Sequence, residues 1–293
     1  MATWKVFLLP CMLLLLDTPA FTQQSIEPKM LSASKGTFLF NYLGGDVSYR
    51  LTIFYCRPNR LEAITRIIFV MHGSEPETAK QVCQIAGSYS EKFGAVIVAP
   101  QFATKDFPGD SYVFGNMLDN NGSMLPKEQW GFMLIENLFD ELSKGLGLTE
   151  STYDIVGFSG GGQFVQRLIL FLPEARFRRA IAGSPGKYAF PTFANRFPYG
   201  LLNSPTKPSD LSRIFSRNFI LLLGDADIVD RTREEQAELQ GTNRFARGLR
   251  FFATATEEAD NLVVPLAWQI QILHGVNHDA ATVISKAFDL LAN

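Results

Sequence analysis

Tyr153-Asp154-Ile155-Val156-Gly157-Phe158-Ser159-Gly160-Gly161-Gly162-Gln163-Phe164 is the stretch that decides how this chain folds. Its first four residues form a short apolar run of strand type, and Gln163-Phe164-Val165-Gln166-Arg167-Leu168 continues with helical spacing of apolar positions. Between them Gly157-Phe158-Ser159-Gly160-Gly161 matches G-x-S-x-G. A sharp strand-to-helix turn holds its central serine in a strained backbone conformation, so the flanking positions must be small to avoid their neighbours. The turn also sets Ser159 at a helix N-terminus, where free amides and the helix dipole favour developing negative charge.

Working outward, strand-like runs alternate with amphipathic helical segments. The strands are expected at 49–56, 64–71, 95–99, 153–157, 179–183, 219–223 and 268–273. Helices are expected at 77–93, 128–146, 161–172, 232–255 and 280–291. This order predicts an α/β fold, a mostly parallel central sheet with helices on both faces. Two stretches break the alternation: the Gly/Asn/Asp-rich 103–127 and the Pro-rich 184–210. Long insertions after parallel strands are where such folds place substrate-binding walls, here read as a small cap. Tyr112, Phe114 and Asn116 of the first and Tyr188, Phe190 and Tyr199 of the second are candidates to line a pocket or to pack those loops.

Composition sets the outer bounds. With 46% hydrophobic and 19% charged residues the chain has apolar material for one large core, which excludes disorder. Residues 1–22 read as a signal peptide: Lys5, the apolar run 6–16, then small residues permitting cleavage after Ala20 or Thr22. The run is shorter than the roughly 20 residues that span a bilayer. The expectation is therefore a secreted or periplasmic protein, residues 23–293 forming a single domain without stable membrane insertion; an uncleaved anchor is the alternative. Beyond the leader only Cys56 and Cys83 are left, either paired or serving as two small buried side chains. The net charge of −2, with no long run of either sign, excludes nucleic acid as a partner. Arg244, Arg247 and Arg250 share one helical face, read as solvated.

A serine hydroxyl needs an adjacent base, held in the right tautomer by a carboxylate. The histidines are His72, His274 and His278. In chain order Ser, acid, His, the base falls to His274 or His278. His278 is favoured because Gly275-Val276-Asn277-His278 is a loop at a strand's carboxyl end, whereas His274 sits in the strand end. For the acid, Gly224-Asp225-Ala226-Asp227 follows a strand, and Asp227 is favoured by its spacing from the glycine, with Asp225 turning the chain. An oxyanion requires two donors, assigned to the amides of Gly160 and of Ser74 in His72-Gly73-Ser74, with His72 orienting that loop.

The chain thus resembles the exported bacterial α/β-hydrolases of the poly(3-hydroxyalkanoate) depolymerase-like, serine esterase group. The similar segments include RIIFVMHGS (66–74), FPGDSYVFGNM (107–117), GFSGGGQFVQR (157–167), LLLGDADIVD (221–230), QGTNRFARGLRFF (240–252) and HGVNHD (274–279). The resemblance implies an α/β-hydrolase fold, Ser159, Asp227 and His278 as catalytic triad, and hydrolysis of an acyl bond in a small or polymeric ester without metal or organic cofactor. The chain departs from the G-H-S-x-G turn frequent in that group by carrying Phe158 before the serine, which alters what lines the pocket. Phe158, Tyr112 and Tyr188 are the expected substrate-binding side chains. Two other readings are a serine peptidase acting on short peptides and a noncatalytic binding protein that keeps the fold.

Overall fold

Ile67, Phe69 and Met71 point into one buried cluster and Ile68 and Val70 into another, so one six-residue strand feeds two cores. That is the signature of a strand covered on both faces, and it organises the whole molecule. The computed structural model describes residues 25–229 and 235–292. The expected leader at 1–22 lies outside the described residues, as does the stretch 230–234.

In chain order the elements are β1 (Lys35–Gly44), β2 (Val47–Cys56), β3 (Arg66–Met71), α1 (Thr78–Gly87), α2 (Tyr89–Phe93), β4 (Ala95–Gln101), α3 (Gly131–Leu146), β5 (Tyr153–Phe158), α4 (Gly160–Phe171), β6 (Phe177–Gly183), α5 (Leu211–Phe215), β7 (Phe219–Gly224), α6 (Glu235–Glu238), α7 (Arg244–Leu262), β8 (Gln269–Leu273) and α8 (Ala280–Ala292). The eight strands form one sheet in the order β1-β2-β4-β3-β5-β6-β7-β8. β1 pairs antiparallel with β2 and β2 antiparallel with β4, while β4 through β8 run parallel. This is the mostly parallel sheet the sequence predicts.

Helices cover both faces. α1 and α8 place Val82, Cys83, Ala86, Val283, Ile284 and Phe288 against Ile68, Val70, Ile97 and Val156. On the other face α3, α4 and α7 bring Phe132, Ile135, Phe139, Phe164, Leu168 and Phe251 against Phe69, Met71, Val98, Ile155 and Leu221. Each buried Val, Ile, Leu, Met or Phe among them contributes about 1.5–3 kcal/mol relative to exposure.

Three expectations need correction. β1 was not foreseen; its buried Phe38, Phe40 and Tyr42 alternate with exposed positions, the mark of a sheet-edge strand with one wet face. The helix expected at 77–93 is two, α1 and α2, meeting at Ser88. The helix expected at 232–255 is also divided: α6 ends before Gly241, whose φ is +152°, and Asn243 starts α7 by accepting a hydrogen bond from the Ala246 amide at 2.9 Å. Beyond that cap α7 runs on to Leu262.

The sulfurs of Cys56 and Cys83 are 3.9 Å apart as free thiols. Gly87 leaves them room, since a Cβ there would lie 2.6 Å from the Cys56 sulfur. Among the described residues no helix is long and apolar enough to cross a membrane. The stretches 103–127 and 184–210 touch each other: Lys187 Nζ donates to Asp110 at 3.0 Å, and Phe114 meets Tyr199 edge-on with ring centroids 6.1 Å apart.

Candidate active site

Because β3 to β8 are parallel, the loops that follow them gather at one edge of the sheet, where open α/β sheets place their ligands. Ser159 stands there, between the last residue of β5 and the first of α4, with φ 55° and ψ −110°. A non-glycine residue held at positive φ is strained, and here the neighbours enforce it. The Ser159 amide donates to Gly183 O at 2.9 Å. A Cβ at Gly157 would lie 2.1 Å from Gly161 O, one at Gly161 2.2 Å from Met71 O, and one at Gly162 2.7 Å from Gly183 O. The turn therefore sits backbone against backbone on β3 and β6, a packing that only glycine permits.

The ends of β7 and β8 are brought together in the same manner. A Cβ at Gly224 would lie 2.2 Å from Val276 O, and the Ala226 amide donates to Val276 O at 3.1 Å. This joins the Asp227 turn to the His278 loop. His278 Nε2 lies 3.0 Å from Ser159 Oγ, and His278 Nδ1 lies 2.7 Å from Asp227 Oδ2. A carboxylate only accepts, so Nδ1 carries the proton and Nε2 is left to accept from the serine. Asp227 is 3% exposed and His278 29%. The Phe158 ring stands 4.7 Å from the imidazole of His278, so the residue replacing the frequent histidine braces that ring. His274 and Asp225 form a separate pair at 2.9 Å, with His274 86% exposed. Hydrogen bonds from His274 and the Gly275 amide hold the Asp225 carboxyl below the usual range.

Beside the serine, a Cβ on Gly160 would lie 2.7 Å from the Ser74 amide nitrogen, so the two expected oxyanion donors are neighbours. Ser74 itself is exposed. The loop carrying it is set by His72, which is fully buried. Its Nδ1 donates to Gly73 O at 2.6 Å and its Nε2 accepts the Phe102 amide at 3.1 Å. Burial pushes the His72 imidazole down to about 4, which keeps it neutral for that pair of bonds.

Two of the expected pocket residues belong to the scaffold instead. Tyr112 is 4% exposed; its hydroxyl donates to His72 O at 2.8 Å and its ring stacks on the His72 imidazole at 4.3 Å. Tyr188 is fully buried and stacks on Phe251 at 4.8 Å. Neither shows more than a sliver of its surface to solvent, so neither lines an open wall. Asn116 is buried as well, donating to Tyr49 Oη and Gln129 O. Phe190 is 5% exposed, leaving Phe114 and Tyr199 as the half-buried aromatics of the six.

The arginine face of α7 is solvated only at Arg250, not along its length as expected. Arg247 is fully buried. Arg244 Nη1 donates to Asp227 Oδ1 at 3.2 Å and to Val229 O at 2.9 Å. Arg247 and Arg250 donate to the carbonyls of Ala237 and Leu239 at 3.3 and 2.7 Å. Three turn-spaced guanidinium groups thus hold the chain that follows Asp227. Periodicity reveals such a face but not what packs on it. Among the described residues no three His, Cys, Asp or Glu side chains gather to hold a metal ion.

No family model matches the chain, and no curated protein does. Solved structures do. Poly(aspartic acid) hydrolase-1 from Sphingomonas sp. KT-1 is 32% identical over 90% of this chain and 100% of its own, with a TM-score of 0.85. The poly(3-hydroxybutyrate) depolymerase LpqC from Bordetella parapertussis is 26% identical over 90% of this chain and 92% of its own, with a TM-score of 0.83. The fluorophosphonate-binding serine hydrolase FphF of Staphylococcus aureus, 14% identical, shares the fold over 89% of this chain and 100% of its own with a TM-score of 0.54. With its mostly parallel sheet, its glycine-packed serine turn and a relative at this level of identity over nearly its whole length, this chain is a hydrolase that belongs to the depolymerase and serine esterase group of the α/β-hydrolase family.

Proposed function

We propose that this hydrolase cleaves carboxylic esters through an acyl-enzyme formed on Ser159. The observation that carries the proposal is the continuous relay from Ser159 Oγ to His278 Nε2 at 3.0 Å and from His278 Nδ1 to Asp227 Oδ2 at 2.7 Å, in a group whose named members are hydrolases. As Ser159 Oγ bonds to the ester carbonyl carbon, its proton passes to His278 Nε2, and the carbonyl electrons move onto oxygen. The amides of Ser74 and Gly160 receive that oxyanion. Asp227 stays ionised throughout, holding the imidazole in its tautomer and stabilising the imidazolium. His278 then gives its proton to the departing alcohol as the C–O bond breaks. Water enters, loses a proton to His278 and attacks the acyl carbon, and the returning proton restores Ser159 as the carboxylic acid leaves.

A second reading, amide in place of ester cleavage, is favoured by the relative named for hydrolysis of poly(aspartic acid), a polymer whose residues are joined by amide bonds. Aryl esters compared with the matching anilides separate the two. An ester chain-length series with poly(3-hydroxybutyrate) and poly(aspartic acid) then identifies the substrate class. The mechanism itself is tested by Ser159→Ala. We expect a folded protein that neither hydrolyses p-nitrophenyl esters nor takes up a fluorophosphonate label, whereas wild type does both. Undiminished hydrolysis by Ser159→Ala refutes the mechanism, and a wild-type protein that resists labelling points to a noncatalytic fold member.

A further inference from the structure

Asp227 is a buried carboxylate with two oxygens to satisfy, and His278 occupies Oδ2. A buried charge left half-partnered is costly. The described group on Oδ1 is Arg244, whose Nη1 donates at 3.2 Å and also reaches Val229 O at 2.9 Å, so that one guanidinium pins both the carboxylate and the turn bearing it. The placement goes against local preference. Arg244 is the first residue of α7, immediately after the cap Asn243, where a cation meets the positive end of the helix dipole. Residues that break a local rule without another gain concentrate at functional sites. About one and two turns further on, Arg247 and Arg250 grip carbonyls of the same segment, which anchors the helix that delivers Arg244.

We propose that Arg244 is a positioning residue of the esterase reaction: it fixes the rotation of the Asp227 carboxylate through Oδ1 and sets a positive charge behind the Asp227–His278 pair. The proposal rests on the Ser159, His278, Asp227 reading above. Oδ2 is then held on the line to His278 Nδ1, and the imidazole stays aimed at Ser159. A fixed positive charge there also disfavours a second one on the imidazole, so its removal is readable in the pH profile.

Among the described residues, the other titratable and aromatic groups near the pair are placed as follows. Arg247 is fully buried on α7, and Tyr188 packs from the 184–210 stretch with its phenol held protonated by burial. Phe158 offers His278 only an uncharged ring. At the start of α8, Asp279 is turned onto the Thr282 amide at 2.8 Å, and Asp225 is paired with His274.

The test compares Arg244→Met, Arg244→Gln and Arg244→Lys with wild type in kcat, KM and the acid limb of kcat/KM for p-nitrophenyl acetate. Folding of each variant is checked by circular dichroism. For Arg244→Met we expect kcat to fall about 10- to 100-fold, the size of losing a hydrogen bond to an ionised group, with KM little changed. The acid limb should move up by about half a pH unit or more as the opposing charge is removed. Arg244→Lys, which keeps the charge, should recover part of kcat and hold the limb at its wild-type position. A folded Met variant with kcat within about threefold of wild type, or with an unmoved acid limb, overturns the proposal. If the Met variant does not fold, Arg244→Gln, which keeps a donor and most of the packing, is decided on the limb alone: an upward move supports the proposal and an unmoved limb overturns it. Ser159→Ala is run alongside. Residual esterase activity in that variant sinks the underlying mechanism whatever the arginine variants do, whereas loss of activity there with unchanged arginine variants sinks only the role of Arg244.

Discussion

Adding one methyl group at Gly160 tests the oxyanion assignment without touching serine, base or acid. Gly160 is absent from the positive-φ glycines, so alanine meets no backbone penalty there, and as a better helix former it favours α4 by up to about 1 kcal/mol. Only space opposes it. The new Cβ would lie 2.7 Å from Ser74 N, 2.8 Å from Gly73 C and 3.0 Å from Ser74 Cα. The second, carbon to carbon, is roughly 0.7 Å inside the shortest comfortable carbon contact of about 3.5 Å. α4 is held on the sheet by the close backbone contacts of Gly161 and Gly162, whereas the Ser74 loop is exposed, so the loop is what yields. A displacement of that size takes the Ser74 amide out of hydrogen-bond reach of an oxyanion still bound to Gly160. Removing one such donor costs about 10²–10³ in kcat, or roughly 2.7–4 kcal/mol of transition-state stabilisation. The assay is steady-state hydrolysis of p-nitrophenyl acetate by Gly160→Ala, normalised to active sites titrated with a fluorophosphonate. KM and the acid limb of the pH profile should stay near wild type, since substrate walls and base are untouched. A kcat within about threefold of wild type refutes the reasoning, because the Ser74 amide is then either not displaced or not a donor.

Tyr112→Phe removes the hydroxyl that donates to His72 O and keeps the stacked ring, so unfolding free energy in urea should fall by about 1–3 kcal/mol; a loss under about 0.5 kcal/mol means that carbonyl has another donor. Burial lowers the His72 imidazole to about 4 from about 6.5 in the unfolded chain, so below pH 6.5 the unfolded chain binds a proton that the folded protein refuses. The stability contributed by neutral His72 is therefore complete above about pH 6.5 and declines by up to about 1.4 kcal/mol per pH unit as pH falls toward 4. An NMR titration of the folded protein in which the His72 ring ionises near pH 6.5 contradicts this.

The legible parts of the molecule were those written in local pattern. The runs around Val70, Val98, Ile155 and Leu222 announce strands buried on both faces, and the glycines around Ser159 announce a turn with no room for side chains. Chain order set His72 aside, loop placement favoured His278 over His274, and spacing from Gly224 favoured Asp227 over Asp225; His278 and Asp227 lie in line with Ser159. β1 escaped notice because Phe38, Phe40 and Tyr42 carry a period of two rather than a continuous run, although that alternation was readable. Tyr112 and Tyr188 could not be sorted from sequence, since an aromatic in a long loop serves equally as wall or as filler until its neighbours are known. Arg244 lay beyond reach for a related reason. Its spacing with Arg247 and Arg250 defines a helix face, but a solvated stripe and a clamp on the Asp227 segment have the same periodicity, and only the fold brings that segment alongside.

The four glycines from 157 to 162 have a consequence for how this protein tolerates change. Each presses first on a neighbouring peptide group, Gly162 meeting the Pro185 ring as well, so the distance between the serine and its flanking amides is written in main-chain geometry. Side-chain variation elsewhere has little leverage on that distance. The half-buried Phe114 of the first insertion meets side chains instead, the Tyr199 ring of the second and the cations of Arg167 and Lys187, so an exchange there is taken up by side-chain repacking. Libraries aimed at new substrates belong in those loops, where diversity is cheap, while the turn around Ser159 accepts almost none.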